Sequence, residues 1–251
     1  MSAALNIVIP MAGRGSRFAN AGYQLPKPLI TIHGRPMIEC VVENIRPARE
    51  HRFIFLVLAE HAGGYGVREL LERIAPGCEI VLVGATTEGA ACTVLLAREL
   101  IDGPAPLMIA NSDQWVGCAI DDYLAGTDDP TVDGLIMTMW ADHPKWSYAR
   151  LGDDGRVTEV VEKEVVSNDA TTGIYNFRRG DLFVAAADRM IERDLRVNGE
   201  FYVAPTYNSL IEDGAEIRAF NIGAEEDGMY GLGTPEDLER FIAAPQSRPA
   251  A

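Results

Sequence analysis

The chain has 251 residues, of which 47% are hydrophobic and 24% are charged, a composition that favours a globular protein with a sizeable core and excludes a disordered chain. Its formal net charge of -15 opposes binding to nucleic acid or to an anionic membrane surface, because both rely on basic patches. The sequence shows neither a charged and apolar leader nor an apolar run near the roughly 20 residues of a membrane helix, so we predict a cytoplasmic protein.

Strand and helix patterns alternate over the first half of the chain. Apolar runs predict strands over 5–10, 53–59, 79–83 and 106–110, and amphipathic patterns predict helices over 36–45, 66–74 and 89–101. The run at 53–59 is apolar throughout, as expected for a parallel strand that is covered on both faces. The alternation therefore predicts βαβ units in this half.

After about residue 130 the pattern changes and predicts a mixed sheet. Strands are predicted over 134–140, 148–151, 156–162, 172–177 and 216–221. Asp154-Gly155 is typical of a hairpin turn between two of them. Helices are predicted over 180–194 and 203–212, and a last helix begins at Pro235 with Thr234 as its N-cap.

Nothing in the composition marks an internal linker, so one domain is predicted over residues 1–243.

The three tryptophans of the chain, Trp115, Trp140 and Trp146, are expected to be packing residues and not platforms for a base. Residues 244–251 contain two prolines and terminal alanines, and they are expected to form a disordered tail.

The first predicted strand runs into a glycine-containing loop with three cations, Arg14, Arg17 and Lys27. Gly13 and Gly15 allow positive φ, so that successive backbone N–H groups can point at phosphate oxygens. Arg17 offers a planar fork for phosphate oxygens, and Lys27, between two prolines, adds a compact charge. In an acidic protein these cations predict a site for an anionic ligand. The dinucleotide fingerprint G-x-G-x-x-G is excluded because Phe18 replaces its third glycine, and the sequence has no P-loop pattern.

Three short motifs in this region follow one another in the order and spacing of a known family. The segments 9–18, 26–29 and 34–38, which read IPMAGRGSRF, PKPL and GRPMI, together resemble the N-terminal signature of the sugar-1-phosphate nucleotidyltransferases, or NDP-sugar pyrophosphorylases. The resemblance implies a glycosyltransferase-A-like or Rossmann-like α/β fold, with a mixed, mainly parallel central sheet and helices on both faces. It also implies a nucleotide-binding half over about 1–130 and a sugar-phosphate-binding half over about 131–243.

The resemblance assigns the nucleotide to two segments of the chain. The first is the loop, with the residues Met11, Ala12, Gly13, Gly15, Arg17 and Lys27. The second is 86–91, where Gly89 would let the nucleotide approach the backbone. The same segment also fits a plain helix entry that is capped by Thr or Glu, and both interpretations stay open.

Asp113 follows directly on the predicted strand 106–110, at the carboxyl end of the strand. Ligands of open α/β sheets lie at that edge, and Mg²⁺ is commonly held by one or two carboxylates together with phosphates and water. The resemblance places the metal-binding aspartate of the family at this position. The alternative is a turn residue that caps the segment behind it.

Glu162 and Lys163 end a predicted strand, and Gly173 follows ten residues later. By the resemblance, Glu162 would accept hydrogen bonds from sugar hydroxyls, Lys163 would pair with the phosphate of the sugar 1-phosphate, and Gly173 would admit the sugar close to the backbone. The alternative for Glu162 and Lys163 is an exposed ion pair, which is common at strand ends and contributes little.

One position departs from the family pattern. The segment GLGTPEDL, residues 231–238, resembles a family motif whose aspartate usually shares the metal, but here Gly231 stands at that position. Either Asp113 holds the cation with phosphates and water, or another carboxylate reaches in, with Asp227 and Glu200 as candidates. The departure indicates a divergent, short member of the family, with an altered substrate or a lost activity as its consequence.

The resemblance implies a magnesium-dependent enzyme that joins a nucleoside triphosphate to a sugar 1-phosphate and releases pyrophosphate. Its catalytic residues would be Arg17, Lys27 and Asp113. Arg17 would bind the departing pyrophosphate, Lys27 would bind the α-phosphate, and Asp113 would bind Mg²⁺. Three alternatives stay open: a transferase that consumes NDP-sugars, a nucleotidyltransferase for a non-sugar phosphate or phosphonate, and a non-catalytic sugar-nucleotide-binding protein. The base, the sugar and the choice between monomer and homo-oligomer are also open, and polysaccharide or secondary-metabolite biosynthesis would suit the enzyme.

Overall fold

The computed structural model describes residues 3–248, which form a central sheet of 11 strands and a separate sheet of two. The strands in chain order are β1 (Leu5–Pro10), β2 (Thr31–Ile32), β3 (Arg35–Pro36), β4 (His51–Leu58), β5 (Glu79–Val83), β6 (Leu107–Ala110), β7 (Gln114–Val116), β8 (Gly134–Trp140), β9 (Ser147–Leu151), β10 (Val157–Glu162), β11 (Asp169–Phe177), β12 (Ile217–Glu225) and β13 (Gly228–Gly231). Strands β2 and β3 form the small sheet.

The large sheet is mixed and mainly parallel, which confirms the expectation from the sequence. Its order is β5-β4-β1-β6-β11-β8-β12-β13-β7. The pairings give seven of these nine strands one direction, and only β11 and β7 run the opposite way within residues 3–248. Strands β9 and β10 form the predicted hairpin beside β11. Strand β11 therefore connects the parallel first half of the sheet to the mixed second half.

Helices cover both faces of this sheet. They are α1 (Ser16–Asn20), α2 (Met37–Asn44), α3 (Ala59–Gly64), α4 (Val67–Ile74), α5 (Ala90–Leu95), α6 (Arg98–Ile101), α7 (Ile120–Ala125), α8 (Gly180–Glu192), α9 (Thr206–Glu212) and α10 (Pro235–Ala243). Among the described residues, none of these helices has the length and apolar character needed to cross a lipid bilayer.

Two hydrophobic cores lie on the two faces, and the central strands contribute to both. Ile7 and Ile9 of β1 belong to the core that α2, α4, α7 and α10 cover. Val8, between them, belongs to the core that α5, α6, α8 and α9 cover. Successive side chains of a strand point to opposite faces, so a strand buried on both sides must be apolar at every position. This burial explains the continuous apolar run that β4 shows.

The predicted elements differ from the observed ones mainly where elements are short. The helix predicted over 89–101 is interrupted at 96–97 and forms α5 and α6. Strands β7 and β13, of three and four residues, are too short to give a period-two pattern in the sequence. The predicted cap of the last helix is confirmed, since Thr234 Oγ1 accepts a hydrogen bond of 3.1 Å from the backbone N–H of Asp237.

The described residues include part of the predicted tail, 244–248. Pro245–Ser247 form a 3-10 turn in which Ser247 is buried. The Ser247 hydroxyl lies 2.8 Å from Nε2 of His33 and 2.8 Å from the carbonyl oxygen of Ala244, and these bonds hold the segment against the chain. The rest of the predicted tail, 249–251, lies outside the described residues. The extent of the single predicted domain, 1–243, stays a prediction.

We predict that Gly180→Ala destabilises the protein by about 2 kcal/mol, the usual size of an overpacking effect. Gly180 begins α8, and a Cβ on it would collide with the backbone carbonyl of Ile101. The matched control is Gly103→Ala, because no described atom lies within 4 Å of the Cβ position at Gly103. Urea unfolding of the two variants measures the effect, and equal midpoints would contradict the prediction.

Candidate active site

Loops from several strands meet at the carboxyl edge of the sheet. Strands β5, β4, β1 and β6 are parallel neighbours, so the segments that follow them lie side by side. Strand β11 runs against β6, which brings its amino-terminal part to the same edge, and Asn111 N–H donates to the Gly173 carbonyl over 3.1 Å. Ligands of open α/β sheets bind beyond this edge.

An ion pair between Lys27 and Asp113 joins the loop after β1 to the end of β6. Lys27 begins a 3-10 turn, Lys27–Leu29, and its Nζ is 2.8 Å from Oδ2 of Asp113. The two side chains are only 21% and 26% exposed, so water screens the pair in part. A cation and a carboxylate are thus held next to each other, facing the space where a ligand of this edge would bind.

Gly15 makes room for Lys27 within the loop. It precedes α1 with φ 61° and ψ 33°, in the left-handed region, and a Cβ on it would lie 3.1 Å from Cβ of Lys27. The expectation of positive φ is wrong for Gly13, whose φ lies outside that region and whose Cβ position has no described atom within 4 Å. Open space at Gly13 puts no steric demand on its conformation.

A cavity of about 470 Å³ opens between these loops. Seven of the predicted residues line it: Met11, Ala12, Gly13, Arg17, Lys27, Gly89 and Asp113. Gly15 is not among the residues that line it and acts through its contact with Lys27. The cavity has the size of an ordinary small-molecule site.

Gly89 has a structural role in addition to the predicted one. A Cβ on Gly89 would collide with the backbone of Phe201. The two segments are hydrogen-bonded there, from Phe201 N–H to the Glu88 carbonyl over 2.8 Å and from Ala91 N–H to the Phe201 carbonyl over 3.0 Å. Gly89 is also the N-cap of α5, so a helix does begin here, but no Thr or Glu side chain caps it. The approach of a nucleotide to Gly89 stays a prediction.

A second cavity of about 210 Å³ adjoins the first, and Ala90 and Asn111 line both. The three residues predicted for the second substrate, Glu162, Lys163 and Gly173, line this smaller cavity. Four further residues lie in its wall: Tyr202, Trp146, which was expected to pack, and Lys145 and Ser147, which no sequence motif assigned to a site.

Burial controls the charge of Glu162. Its side chain is 5% exposed, and its Oε1 lies 4.0 Å from Nζ of Lys163, so the alternative of an exposed ion pair is wrong. Burial raises the pKa of the Glu162 carboxyl, and the hydrogen bond from the Ser147 hydroxyl and the charge of Lys163 offset this only in part. The cavity therefore holds a carboxylate that protonates more readily than an exposed one.

Lys163 remains a cation in this cavity. Burial lowers the pKa of its ammonium group, but Tyr202 together with the carboxylates of Glu162 and Glu200 raises it by more, so the net direction is upward. Its Nζ lies 4.8 Å from the centre of the Tyr202 ring. The backbone N–H of Lys163 donates to the Trp146 carbonyl over 3.0 Å, which fixes the position of Lys163 relative to the strand β9.

Gly173 fits between two polar side chains. It has φ 87°, and a Cβ on it would collide with the side-chain amides of Asn111 and Gln114. A glycine here allows β11 to pass close to the residues on either side of Asp113. The close approach that we expected for a sugar is therefore made by the protein itself, and the sugar contact stays a prediction.

A third cavity, of about 330 Å³, also has Asp113 in its wall, together with Arg17, Gly231 and Gln114. Gln114 is 4% exposed, and its Nε2 has no hydrogen-bond partner among the described residues. The carboxylate of Asp113 suits a hard cation such as Mg²⁺, and the unpaired N–H of Gln114 suits a phosphate or water oxygen that such a cation carries. No group of three His, Cys, Asp or Glu side chains in residues 3–248 is placed to hold a metal, so a cation would need ligand oxygens besides those of the protein.

The two carboxylates that we considered in place of a side chain at Gly231 have different positions. Glu200 lines the 470 Å³ cavity together with Asp113. Asp227 lines none of the three cavities within the described chain. It lies in the turn between β12 and β13, where its N–H donates to the Ala224 carbonyl over 3.1 Å.

Among the four further residues in the wall of the second cavity, Ser147 carries a partial signal in the sequence. Ser147 lies in the predicted hairpin and pairs with Glu162 across it, but the register shifts between Val157 and Glu159, so counting from the turn does not by itself give this pair. Trp146 is next to Ser147, packs against the core on one side and lines two cavities, whereas Trp140 is 52% exposed, so the expectation that the tryptophans pack is wrong for Trp140. It holds for Trp115, which contacts the rings of Tyr230 and Phe241.

Comparison of the sequence with protein families gives one match over most of the chain. Residues 7–213 match the pattern of the family described as Nucleotidyl transferase. The bifunctional protein GlmU of Pelotomaculum thermopropionicum is 27% identical over 251 aligned positions, which cover 95% of this chain and 52% of that protein. The chain thus spans about half the length of the curated relatives it matches.

Solved structures with the same fold include a pyrophosphorylase and a CTP transferase. The nucleoside-diphosphate-sugar pyrophosphorylase from Vibrio cholerae RC9 is 26% identical, with a TM-score of 0.78 over 95% of this chain and 100% of that one. The inositol-1-phosphate CTP transferase from T. maritima is 14% identical, with a TM-score of 0.70 over 94% of this chain and 92% of that one. At 14% identity the second similarity shows the fold alone.

We predict that Glu162→Gln becomes more stable relative to the wild type as the pH rises. Between the usual pKa of a glutamate and the raised pKa of Glu162, the folded state binds a proton more readily than the unfolded state, so wild-type stability falls as pH rises through this window. Glutamine does not titrate, so the variant does not lose stability in this way as the pH rises.

Chemical unfolding of both proteins from about pH 4 to pH 8 measures the difference. Glu164→Gln is the control, because Glu164 is exposed and surface substitutions usually change stability little. If the two variants show the same pH dependence relative to the wild type, the effect assigned to Glu162 is wrong.

Proposed function

The chain belongs to the nucleotidyl transferase family, and on that premise we propose that it joins a nucleoside triphosphate to a sugar 1-phosphate, giving an NDP-sugar and pyrophosphate. The observation that carries this proposal is the pair of adjoining cavities, which share Asn111 and Ala90. Each contains cations: Arg17 and Lys27 in the larger, Lys163 in the smaller. Two phosphorylated substrates can bind side by side in such an arrangement.

The proposed reaction is a displacement at the α-phosphorus of the triphosphate. An oxygen of the acceptor phosphate forms a bond to that phosphorus, and the bond from the same phosphorus to the pyrophosphate oxygen breaks. The attacking phosphate is already an anion at neutral pH, so no group has to remove a proton. Catalysis then consists of aligning two anions and neutralising the charge between them.

The side chains at the cavities have complementary roles in this proposal. Arg17, which is exposed at the start of α1, holds the departing pyrophosphate through its planar fork. Lys27 neutralises the α-phosphate, and Lys163 holds the acceptor phosphate. Asp113 would hold Mg²⁺, which when bound supplies positive charge to the phosphate oxygens. One carboxylate oxygen of Glu162 accepts a hydrogen bond from the Ser147 hydroxyl, and the other carboxylate oxygen accepts hydrogen bonds from hydroxyls of the acceptor.

A second candidate function differs only in the acceptor. The acceptor cavity, at about 210 Å³, is less than half the size of the nucleotide cavity, and Lys145 and Lys163 both line it. These features also suit a small non-sugar phosphate or phosphonate.

A transferase that consumes NDP-sugars is disfavoured, because Arg17 and Lys27 provide the charge that a triphosphate requires. A protein that only binds sugar nucleotides would bind the triphosphate and release no pyrophosphate.

The direct test is pyrophosphate release in the presence of Mg²⁺, with each common nucleoside triphosphate and a panel of acceptors. The panel includes sugar 1-phosphates, phosphocholine and a phosphonate, and Asp113→Ala is the control. We expect release with one sugar 1-phosphate and one preferred triphosphate, and loss of release in the variant. Release with a non-sugar acceptor only would favour the second candidate, and triphosphate binding without release would overturn both.

We predict that Arg17→Ala lowers turnover by about 100-fold or more, the usual effect of removing one charge-stabilising donor. The folded structure should be unaffected, since Arg17 is exposed. Arg14→Ala is the matched control: Arg14 lies in the same loop, contacts Thr86 through its Nε over 3.2 Å and does not line the nucleotide cavity. Steady-state kinetics and thermal unfolding compare the two, and near-normal turnover in Arg17→Ala would remove it from the catalytic set.

A further inference from the structure

The carboxylate of Asp237 lies in front of Gly231, the position without a side chain. The three heavy atoms nearest to a Cβ placed on Gly231 all belong to Asp237: Oδ2 at 3.7 Å, Cγ at 3.9 Å and Cβ at 4.0 Å. A side chain at 231 would therefore extend toward the space that Asp237 already reaches. The carboxylate comes from α10, six positions further along the chain.

The backbone around Asp237 is fixed relative to Asp113. Leu232 N–H donates to the Asp113 carbonyl over 2.7 Å, and Gly231 pairs with Gln114 between β13 and β7. Thr234 then caps α10 by accepting the N–H of Asp237. Asp237 is thus the third residue of a helix whose start is tied to the segment that carries Asp113.

Asp113 and Asp237 line the same 330 Å³ cavity, with Arg17 and Lys145. Oδ2 of Asp113 lies 2.9 Å from the Cβ position of Gly233, so only a glycine fits beside it without a shift. The side chain of Asp237 is 25% exposed, and its Oδ1 lies 3.9 Å from Nη1 of Arg240, near the limit of an ion pair. Neither feature prevents the two carboxylates from facing one ligand.

An independent feature of this cavity indicates a ligand that carries oxygen atoms. Gln114 lines the cavity, is 4% exposed, and has its Nε2 without a hydrogen-bond partner among residues 3–248. A buried donor without an acceptor costs free energy. A phosphate oxygen, or a water molecule bound to a cation, would accept this hydrogen bond.

We infer that Asp237 is the second carboxylate of a Mg²⁺ site that it forms with Asp113, in place of the side chain absent at Gly231. The inference rests on the proposed nucleotidyl transfer, which uses such a cation. It favours Asp237 over both earlier candidates. Glu200 lines the nucleotide cavity but not the cavity that Gly231 faces, and Asp227 lines neither within the described chain.

Binding of Mn²⁺, used as a paramagnetic probe for Mg²⁺, tests the inference without measuring activity. Electron paramagnetic resonance of free Mn²⁺ gives the affinity of the protein and of its variants. We expect Asp113→Asn and Asp237→Asn each to weaken binding by about tenfold or more, as loss of a metal-binding group does. Glu236→Gln, which removes the same charge at the exposed neighbour of Asp237, should bind as the wild type does.

A rescue variant separates a ligand role from a structural one. Gly231→Asp combined with Asp237→Asn returns a carboxylate to position 231. The change is sterically allowed, because the nearest atom to a Cβ there is 3.7 Å away. We expect the double variant to recover most of the Mn²⁺ affinity that Asp237→Asn loses, with melting temperatures that show both variants to be folded.

The other outcomes contradict the inference in distinguishable ways. If only Asp113→Asn weakens Mn²⁺ binding, Asp237 is not a ligand, and the proposed function keeps its metal site at Asp113. If neither variant weakens binding, or if the wild type binds no Mn²⁺, the inference and the metal site of the proposed function both fail. If Asp237→Asn weakens binding and the double variant does not recover it, the effect of Asp237 is structural, and the inference fails.

Discussion

The ion pair of Lys27 and Asp113 determines how the rest of the site is arranged. A partly exposed ion pair contributes only about 0–1 kcal/mol to stability, so its importance is positional. It joins the loop after β1 to the end of β6 over 2.8 Å. That contact fixes the loop that carries Arg17 and Lys27 relative to Asn111, a residue that lines both cavities. The prolines on both sides of Lys27 restrict its backbone, and Gly15 leaves the space that Lys27 needs.

Around this pair, segments of the chain approach one another at glycines. Gly89 meets the backbone of Phe201, Gly173 meets the amides of Asn111 and Gln114, and Gly233 meets the carboxylate of Asp113. At each position a Cβ would be too close to a neighbouring group. The walls of the cavities are therefore formed in large part by the close packing of backbone, which explains why these glycines belong to the site whether or not each contacts a ligand.

The sequence was sufficient for the central parts of the fold and for many residues of the site, because those features are local. Apolar runs identified the long strands, and a carboxylate directly after such a run identified Asp113. The hairpin that contains Ser147 and Glu162 was also accessible, but their pairing depends on a register shift between Val157 and Glu159 that the sequence does not indicate. Short strands such as β7 and β13 have no usable periodicity, and their pairing is long-range. The position of Asp237 in front of Gly231 could not be predicted, because it depends on the direction in which α10 leaves the sheet.

In the proposed reaction, the wall that the two adjoining cavities share limits how such a protein can change its acceptor during evolution or by design. Asn111 and Ala90 face both cavities, so replacing either one alters both binding spaces together. Ser147, Lys163 and Tyr202 line the 210 Å³ cavity without lining the 470 Å³ cavity. In the proposed reaction these three side chains can vary with the acceptor, whereas their neighbour Glu200 lines the 470 Å³ cavity and Phe201 lies against Gly89 in its wall. Substitutions confined to the three leave every residue that lines the larger cavity in place, and a single scaffold can diversify on one side while the other stays constant.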